Sequence, residues 1–513
     1  MTRTACLTLV LIAARVFAQD TVQVFWSGAL TPHSIRVNAR ISAVTDSVRL
    51  VACEVPCNSD PLISDYAVAD SAHDFVAALA LGGLQPDRPY SYRFEVNGTL
   101  DTSSAHVGRF TTPRDGPASY SFVVGSCNSD GAHPVWQAMR EKHPLFFLSS
   151  GDIHYRDPNN GADIDVHRDP YRVDVLSRSP MKELLHDMPM AYVWDDHDFC
   201  GNGSDASSSG KLNAARAYRD YVPHYFLSHP TSVYQAFTIG RVHFILSDLR
   251  SGKSTESMMD IEQFVWLQNQ LRYARDHGLV AAWVSSLTWN SIGYPENWGS
   301  QPEERTLLND FLFHENVENM FIMSGDAHML AIDDGTDADF SSAHDLRYKY
   351  PILQAAAIAR GGSYKGGTFN QGGYFQNPDQ AHGQFGEVLV DDDGEQVCIT
   401  LNGWRTDSMS ANVTLMNSYT FCRTPPMVGI AEVGVDDVFS ITAHDERIDL
   451  RWSGANGVGS LDLIDITGRI TGSHNVNWND GRASLPDLGR TEGVIIVRAQ
   501  LMGRTRIART IVH

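Results

Sequence analysis

The chain has 513 residues, 42% of them hydrophobic, and 61 acidic against 40 basic side chains, a formal charge of −21. That length calls for more than one domain, with apolar residues enough for several cores. The charge argues against general binding to nucleic acid or anionic membranes. It does not exclude a phosphate substrate, because bound cations reverse the sign locally.

The first element in chain order is a targeting segment, residues 1–18. Arg3 precedes the apolar run 5–14, too short to cross a bilayer as a mature helix. Val16-Phe17-Ala18 then offers small side chains at the −3 and −1 places of a signal-peptidase cut. No later long uncharged apolar run occurs, so the mature chain is expected to have no membrane span. Residues 19–115 read as a β module. Alternation over 34–41 marks a half-buried strand, alternating aromatics follow at Tyr90, Tyr92 and Phe94, and the segment 108–113 closes the unit.

Within residues 116–425 one grammar recurs: an apolar run that stops at chemistry-bearing residues. Phe122-Val123-Val124 ends at Gly125-Ser126-Cys127-Asn128. Leu145 to Leu148 leads into Gly151-Asp152-Ile153-His154-Tyr155. The run 190–193 leads into Trp194-Asp195-Asp196-His197-Asp198 and on to Asn202. Met320 to Met323 leads into Ser324-Gly325-Asp326-Ala327-His328. Each pair alone is an ordinary turn, since Gly and Asp suit turns for backbone reasons. Together they place Cys, Asp, Tyr, His and Asn at strand ends, where open α/β sheets bind ligands. Carboxylates this dense repel one another unless cations sit between them. Apolar residues at helical spacing over 262–271 and 303–313 predict helices that each pack one face on a sheet. The Gly-rich stretch 359–374 is not a phosphate-binding P-loop, because no Gly-Lys-Ser/Thr opens a helix there. It reads either as a cleft-side loop shaping substrate choice through Arg360, Lys365 and Tyr374, or as a passive linker.

The set Gly-Ser-Cys, Gly-Asp-x-x-Tyr, Asp-Asp-His-Asp-x-x-x-Asn and Gly-Asp-x-His resembles the PhoD-like alkaline phosphatases of the calcineurin-like metallophosphoesterase superfamily. The resemblance implies an α/β fold, a four-layer sandwich of two mixed sheets flanked by helices, here with β-sandwich domains at both ends. It implies hydrolysis of phosphate mono- or diesters by attack of a metal-bound hydroxide, with Fe3+ and Ca2+ as cofactors and Zn, Mn or Mg as alternatives at the second site. Position by position, it makes Cys127 an iron-binding thiolate, Asp152 the bridging carboxylate, Tyr155 a phenolate ligand, and Asp196, Asn202, Asp326 and His328 further metal ligands. His197 would face the phosphate as a general acid. Arg250, in Ser247-Asp248-Leu249-Arg250, would bind phosphate or else form a structural ion pair. His154 is expected to be a bystander lining the cleft. The superfamily's intermediate histidine is absent around 285–289, which favours oxygen-rich coordination at the second metal.

Six cysteines remain once Cys6 is removed with the leader. Cys53 and Cys57 are close enough to bridge a small loop, and Cys398 and Cys422 sit in strand-like segments suited to a second bridge. Cys127 and Cys200 are then a ligand thiolate beside an odd thiol, or a third bridge; spacing does not decide. The β module 19–115 resembles a fibronectin type III-like sandwich. After a linker at 426–437, residues 438–513 alternate strand-like segments with turns, and Asp465-x-Thr467-Gly468-Arg469 with the basic-apolar terminal strand resembles a type IX secretion sorting domain (type A). That resemblance implies secretion machinery as a partner and a place outside the cell or on its outer surface, with the periplasm crossed in transit. Three functions stay open: a secreted phosphatase, a phosphodiesterase on nucleotides, phospholipids or cell-wall polymers, and a catalytically inactive surface adhesin.

Overall fold

The computed structural model describes residues 22–42, 46–343, 349–363, 365, 367–375, 383–407, 409–424, 439–444, 447–452, 456–464, 470–479, 482–486, 493–501 and 504–512. Residues 1–18, 426–437 and 465–469, on which the expected targeting segment, linker and sorting-domain motif fall, lie outside them. The chain divides into two compact units, Met1–Pro426 and Met427–His513.

The first unit is built on two mixed sheets. A nine-stranded sheet has the spatial order Val413–Arg423, Val397–Thr406, Gln384–Asp392, Tyr120–Gly125, Phe147–Ser149, Met190–Tyr192, Val22–Gly28, Ser34–Ile41, Val76–Gly82. Its middle is parallel, with Val123 opposite Phe147, Phe147 opposite Met190, and Met190 opposite Gly28. A seven-stranded sheet runs Gln235–Ile239, Val242–Ser247, Val280–Ser285, Met320–Ser324, Ile352–Ala355, Met329–Asp333, Gln371–Phe375. Four of these, from Val242–Ser247 to Ile352–Ala355, are parallel to one another. Parallel strands are buried on both faces, which explains why they read as unbroken apolar runs.

One core joins the two sheets. The Phe122 ring stacks on Phe146 at 4.9 Å and meets Phe244 of the other sheet edge-on at 5.3 Å. Trp136, Leu184 and Tyr218, from helices Val135–Arg140, Met181–Asp187 and Lys211–Tyr221, complete this cluster. The seven-stranded sheet presents Trp283 to a second cluster with Trp289 and Trp298, covered by helices Ile261–Asp276 and Pro302–His314 through Leu267, Leu271, Leu308 and Leu312. Both expected helices are therefore present. The longer one starts where the Asp260 side chain accepts from Gln263 N–H, an N-cap contact of roughly 1 kcal/mol. Burying each large apolar side chain contributes about 1.5–3 kcal/mol, so these clusters hold the strand ends in place.

Alternation at 34–41 gives the strand Ser34–Ile41, yet its partners lie in the nine-stranded sheet. The strands Val22–Gly28, Ser34–Ile41 and Val76–Gly82 extend that sheet and pack Phe25, Val37 and Leu79 against Leu50, Tyr92 and Phe94 of a six-stranded sheet. Periodicity announces which face of a strand is buried and is silent on which sheet it joins. Cys53–Cys57 and Cys398–Cys422 are disulfides, the second joining residues directly opposite in adjacent strands. Cys127 and Cys200 are free and buried.

In the second unit a sheet of Phe439–His444, Arg447–Trp452 and Arg482–Pro486 and a sheet of Ile470–Trp478, Gly457–Ile464, Gly493–Leu501 and Arg504–Val512 are joined through buried Trp452 and Trp478, edge-on at 5.6 Å. Among the described residues no helix is long and apolar enough to cross a membrane.

Candidate active site

The four motif loops leave the carboxyl ends of the parallel strands Tyr120–Gly125, Phe147–Ser149, Met190–Tyr192 and Met320–Ser324. Backbone bonds stitch them together: Cys127 N–H donates to Gly151 O at 3.3 Å, Asn128 N–H to Asp152 O at 2.7 Å, and Gly325 N–H to Ser286 O at 3.0 Å. The glycine of each Gly-Asp pair has a steric cause. A Cβ on Gly151, at φ +111°, would lie 2.5 Å from the Asp195 Cβ, and one on Gly325 would lie 2.7 Å from the Ser126 Oγ. Three motif side chains sit on left-handed backbone, Cys127 (φ 62°), Asp152 (φ 52°) and Asp326 (φ 58°). Such conformations cost of order 1–3 kcal/mol and persist where the surroundings over-determine them, often at functional sites.

Two groups of donor atoms result, each lying within 4.8 Å of one another: Cys127, Asp152 and His328, and Asp152, Asp196 and His197. Asp152 belongs to both. Tyr155 Oη donates to Asp152 Oδ2 at 2.9 Å and lies 2.9 Å from His328 Nε2. The His328 Nδ1 is 2.5 Å from Gly361 O, which can only accept, so the proton sits on Nδ1 and Nε2 turns a lone pair inward. Burial holds His328 down to about 4, keeping it neutral at physiological pH.

The short helix Asp196–Phe199 has Asp195 at its N-cap, in a capping box with Asp198. Asp196 Oδ2 accepts from Gly203 N–H at 2.7 Å. His197 lies 4.0 Å ring to ring from Tyr155, and its Nδ1 is 2.5 Å from the Asp157 carboxylate. Asp157 carries no motif signal in the sequence, where Asp157-Pro158 has the composition of a turn. Lys365, read from the sequence as part of a cleft-side loop shaping substrate choice or of a passive linker, pairs its ammonium with Asp326 Oδ1 and lies 3.9 Å from Glu296.

Of the two readings of Arg250, phosphate contact or a structural ion pair, the structure shows the ion pair. It is fully buried, its Nε bonded to Asp195 and its Nη2 3.6 Å from Asp196, so it acts on these acids. Asp248, its motif neighbour, accepts from Trp194 Nε1 at 2.7 Å. Asn202 is exposed on the turn after the short helix, beside the Gly203 that bonds Asp196. Tyr374 lies in the strand Gln371–Phe375, paired with Leu330. Where the superfamily's histidine is missing, the buried Thr288 Oγ1 bonds Gln354 at 3.3 Å.

Asp152, Asp195, Asp196, Asp198 and Asp326 are each at most 4% exposed. Among the described residues their strong-base partners are Arg250 and Lys365. Without further cations, protons must compensate. Burial, with the neighbouring acids Asp196, Asp195, Asp198 and Asp326, pushes Asp152 well above the carboxylate range. Burial lifts Asp195 to about 8 against the pull of Arg250, and lifts Asp198 to about 7. Asp196 alone goes down, to about 2, because Arg250, His197 and the Gly203 N–H outweigh its burial. Burial also pushes the Cys127 thiol up, with Asp152 and Asp326 adding to it. The second oxygen of Asp326 is buried without a partner. A thiol, a phenol and an imidazole beside excess carboxylate fit a transition metal on one side and a hard cation on the other.

Residues 121–350 match the family model of the PhoD-like phosphatases. Alkaline phosphatase D of Bacillus subtilis (strain 168) is 24% identical over 307 residues, covering 48% of this chain and 52% of that protein. The chain thus spans about half the length of the curated relative it matches. A solved structure of PhoD superposes with a TM-score of 0.59 and 16% identity, covering 77% of this chain and 92% of that one, a likeness of fold. The stretch 121–350 is a PhoD-like phosphatase domain.

Proposed function

We propose that the chain hydrolyses phosphate mono- or diesters at the centre built on Asp152. Iron would be held by Cys127, Asp152, Tyr155 and His328, and calcium, or else Zn, Mn or Mg, by the oxygen-rich side of Asp152, Asp196 and Asp326. The observation that carries the reading is the double membership of Asp152 in two donor groups. The name of the Bacillus subtilis relative, an alkaline phosphatase, supports it. Cations bound there would acidify a water toward neutrality and draw charge from the phosphoryl oxygens.

The chain's own residues supply the rest. Asp157 fixes the His197 ring through Nδ1, which leaves Nε2 to donate to a phosphoryl oxygen or to protonate the departing alkoxide. Arg250 holds Asp195 and Asp196, so Asp196 stays charged and aimed. Lys365 pairs with Asp326 and holds that carboxylate in place.

The remaining parts of the proposal concern placement. Residues 1–18 export the chain, the 19–115 strands serve as a fibronectin type III-like packing module on a four-layer catalytic fold, and 438–513 is a type IX sorting domain that delivers the enzyme outside the outer membrane. The paired disulfides support an oxidising compartment. Elemental analysis of the purified protein, paired with p-nitrophenyl phosphate and bis-p-nitrophenyl phosphate assays, tests the catalytic reading. Iron with calcium, and turnover abolished by chelation, is the expected result, and the substrate ratio separates monoesterase from diesterase. Neither bound metal nor turnover after reconstitution would leave the surface adhesin in its place.

A further inference from the structure

A cleft of about 190 Å³ opens beside Tyr155, lined by Asp130, Tyr155, Arg156, Asp174, Arg178 and Arg360. It lies one aromatic ring away from the ligand groups: the Arg360 guanidinium sits 4.2 Å from the centre of the Tyr155 ring, whose hydroxyl bonds Asp152. The lining carries three arginines against two aspartates, in a chain whose net charge is −21. One of those acids is already engaged twice. Both Asp174 oxygens accept from Arg156, at 2.6 and 3.1 Å, while Arg178 lies 3.8 Å away on the same carboxylate. Asp130 faces solvent and caps Ala132 N–H at 2.9 Å. The inner wall includes His154, 2% exposed with neither ring nitrogen hydrogen-bonded. The cleft is therefore a positive island beside the candidate centre, its inner wall holding a buried imidazole whose Nδ1 lies 3.9 Å from Asp198.

We propose that this cleft is a subsite for a second anionic group, a phosphate or a carboxylate, carried on the alcohol side of the ester, with Arg360 as its principal contact. The proposal rests on the phosphoesterase reading of the neighbouring site. The volume, about 190 Å³, is below the roughly 300–1,000 Å³ of pockets that enclose a whole drug-sized ligand, so it suits one small charged group and not a nucleoside. A planar guanidinium fork beside an aromatic face matches a carboxylate or phosphate edge.

The test compares phenyl phosphate, 3-carboxyphenyl phosphate and benzene-1,3-diyl bisphosphate on the metal-loaded protein, and the uncleavable phosphonate analogues of the three by calorimetry. The expected result is a kcat/KM advantage of about tenfold or more for an ester bearing the second anion, as a charge-assisted hydrogen bond supplies. Whether the carboxylate or the phosphate gains more identifies the group the subsite takes. Arg360→Ala should abolish most of that ratio, Arg360→Lys should keep part of it, and Arg178→Ala, which leaves the Tyr155 contact in place, should lower it. Turnover of all three esters at equal efficiency, or a ratio unmoved in both alanine variants, overturns the subsite and leaves the phosphoesterase. Arg360-dependent preference among the phosphonates without turnover of any ester overturns the phosphoesterase and keeps the subsite. Neither turnover nor preferential binding overturns both.

Discussion

The two rims that meet at the site carry opposite kinds of residue. Loops after the nine-stranded sheet bring Cys127, Asp152, Asp195, Asp196 and Asp198, nearly all acid. Loops of the seven-stranded sheet bring the cations, Arg250 after Val242–Ser247 and Arg360 and Lys365 after Ile352–Ala355, along with Asp326 and His328. Neither rim is electrostatically tenable alone: buried acids need partners, and so does a buried arginine. The site exists as a charge-compensated object only when the shared core packs one sheet on the other.

The largest test of that contrast is Asp152→Asn, which removes the acid common to both donor groups. Bound metal and phosphoester turnover should fall more than about 100-fold, beyond the roughly 10–100-fold typical of outer-sphere partners. The metal-stripped variant should melt higher than the stripped wild type, because one acid leaves a mutually repelling set. Full metal content and activity would remove Asp152 from the centre. Arg250→Met attacks the other rim. It strands Asp195 and Asp196 in the interior, and breaking a buried pair costs about 3–5 kcal/mol, readable as a lowered urea midpoint of the stripped protein. An unchanged midpoint would mean that the acids carry protons and need no arginine.

Asp157→Ala sharpens the picture within the acidic rim. It frees the His197 ring without removing a donor atom, so turnover should drop roughly 10–100-fold while metal content holds; a parallel loss of metal would reassign Asp157 to the centre. The smallest effect is at Asp74, where compensation is local. Burial raises its carboxyl, but bonds from Arg40 and Tyr221, with Arg172 beside them, bring it below the usual range. A depressed folded-state value stabilises the fold above the unfolded value near 4 and loses that contribution as pH falls through the folded one. Stability of wild type and Asp74→Asn should therefore differ at neutral pH and converge below about pH 4. A constant difference across that range would mean that the Asp74 charge contributes nothing.

Much of the site was legible because its carriers are local. Gly151-Asp152 and Gly325-Asp326 announce tight, left-handed strand exits whatever the rest of the chain does. Apolar runs before Cys127, Asp152, Asp196 and Asp326 mark fully buried strands, and Cys398 and Cys422 could be paired from the strand-like segments that hold them. Arg250 shows where local reading stops: its motif is intact, but its direction depends on Asp195, reached across the inter-sheet core. The same holds for Asp157 on His197, Lys365 on Asp326 and Arg360 on Tyr155, partners between 39 and 205 positions apart. The module at 19–115 makes the point at the scale of a sheet, since strand Val22–Gly28 continues the nine-stranded sheet through Met190.

By itself, then, the sequence determined the kinds of residue at each strand end, the strand and helix periods and the net charge. All of these depend on side-chain chemistry within a few neighbouring positions. Only the tertiary structure decided which acids share Asp152 as a neighbour, which arginine is buried and which lines a cleft, and which sheet the first strands join. Those outcomes depend on long-range packing, where a side chain's role is set by what the other sheet places against it.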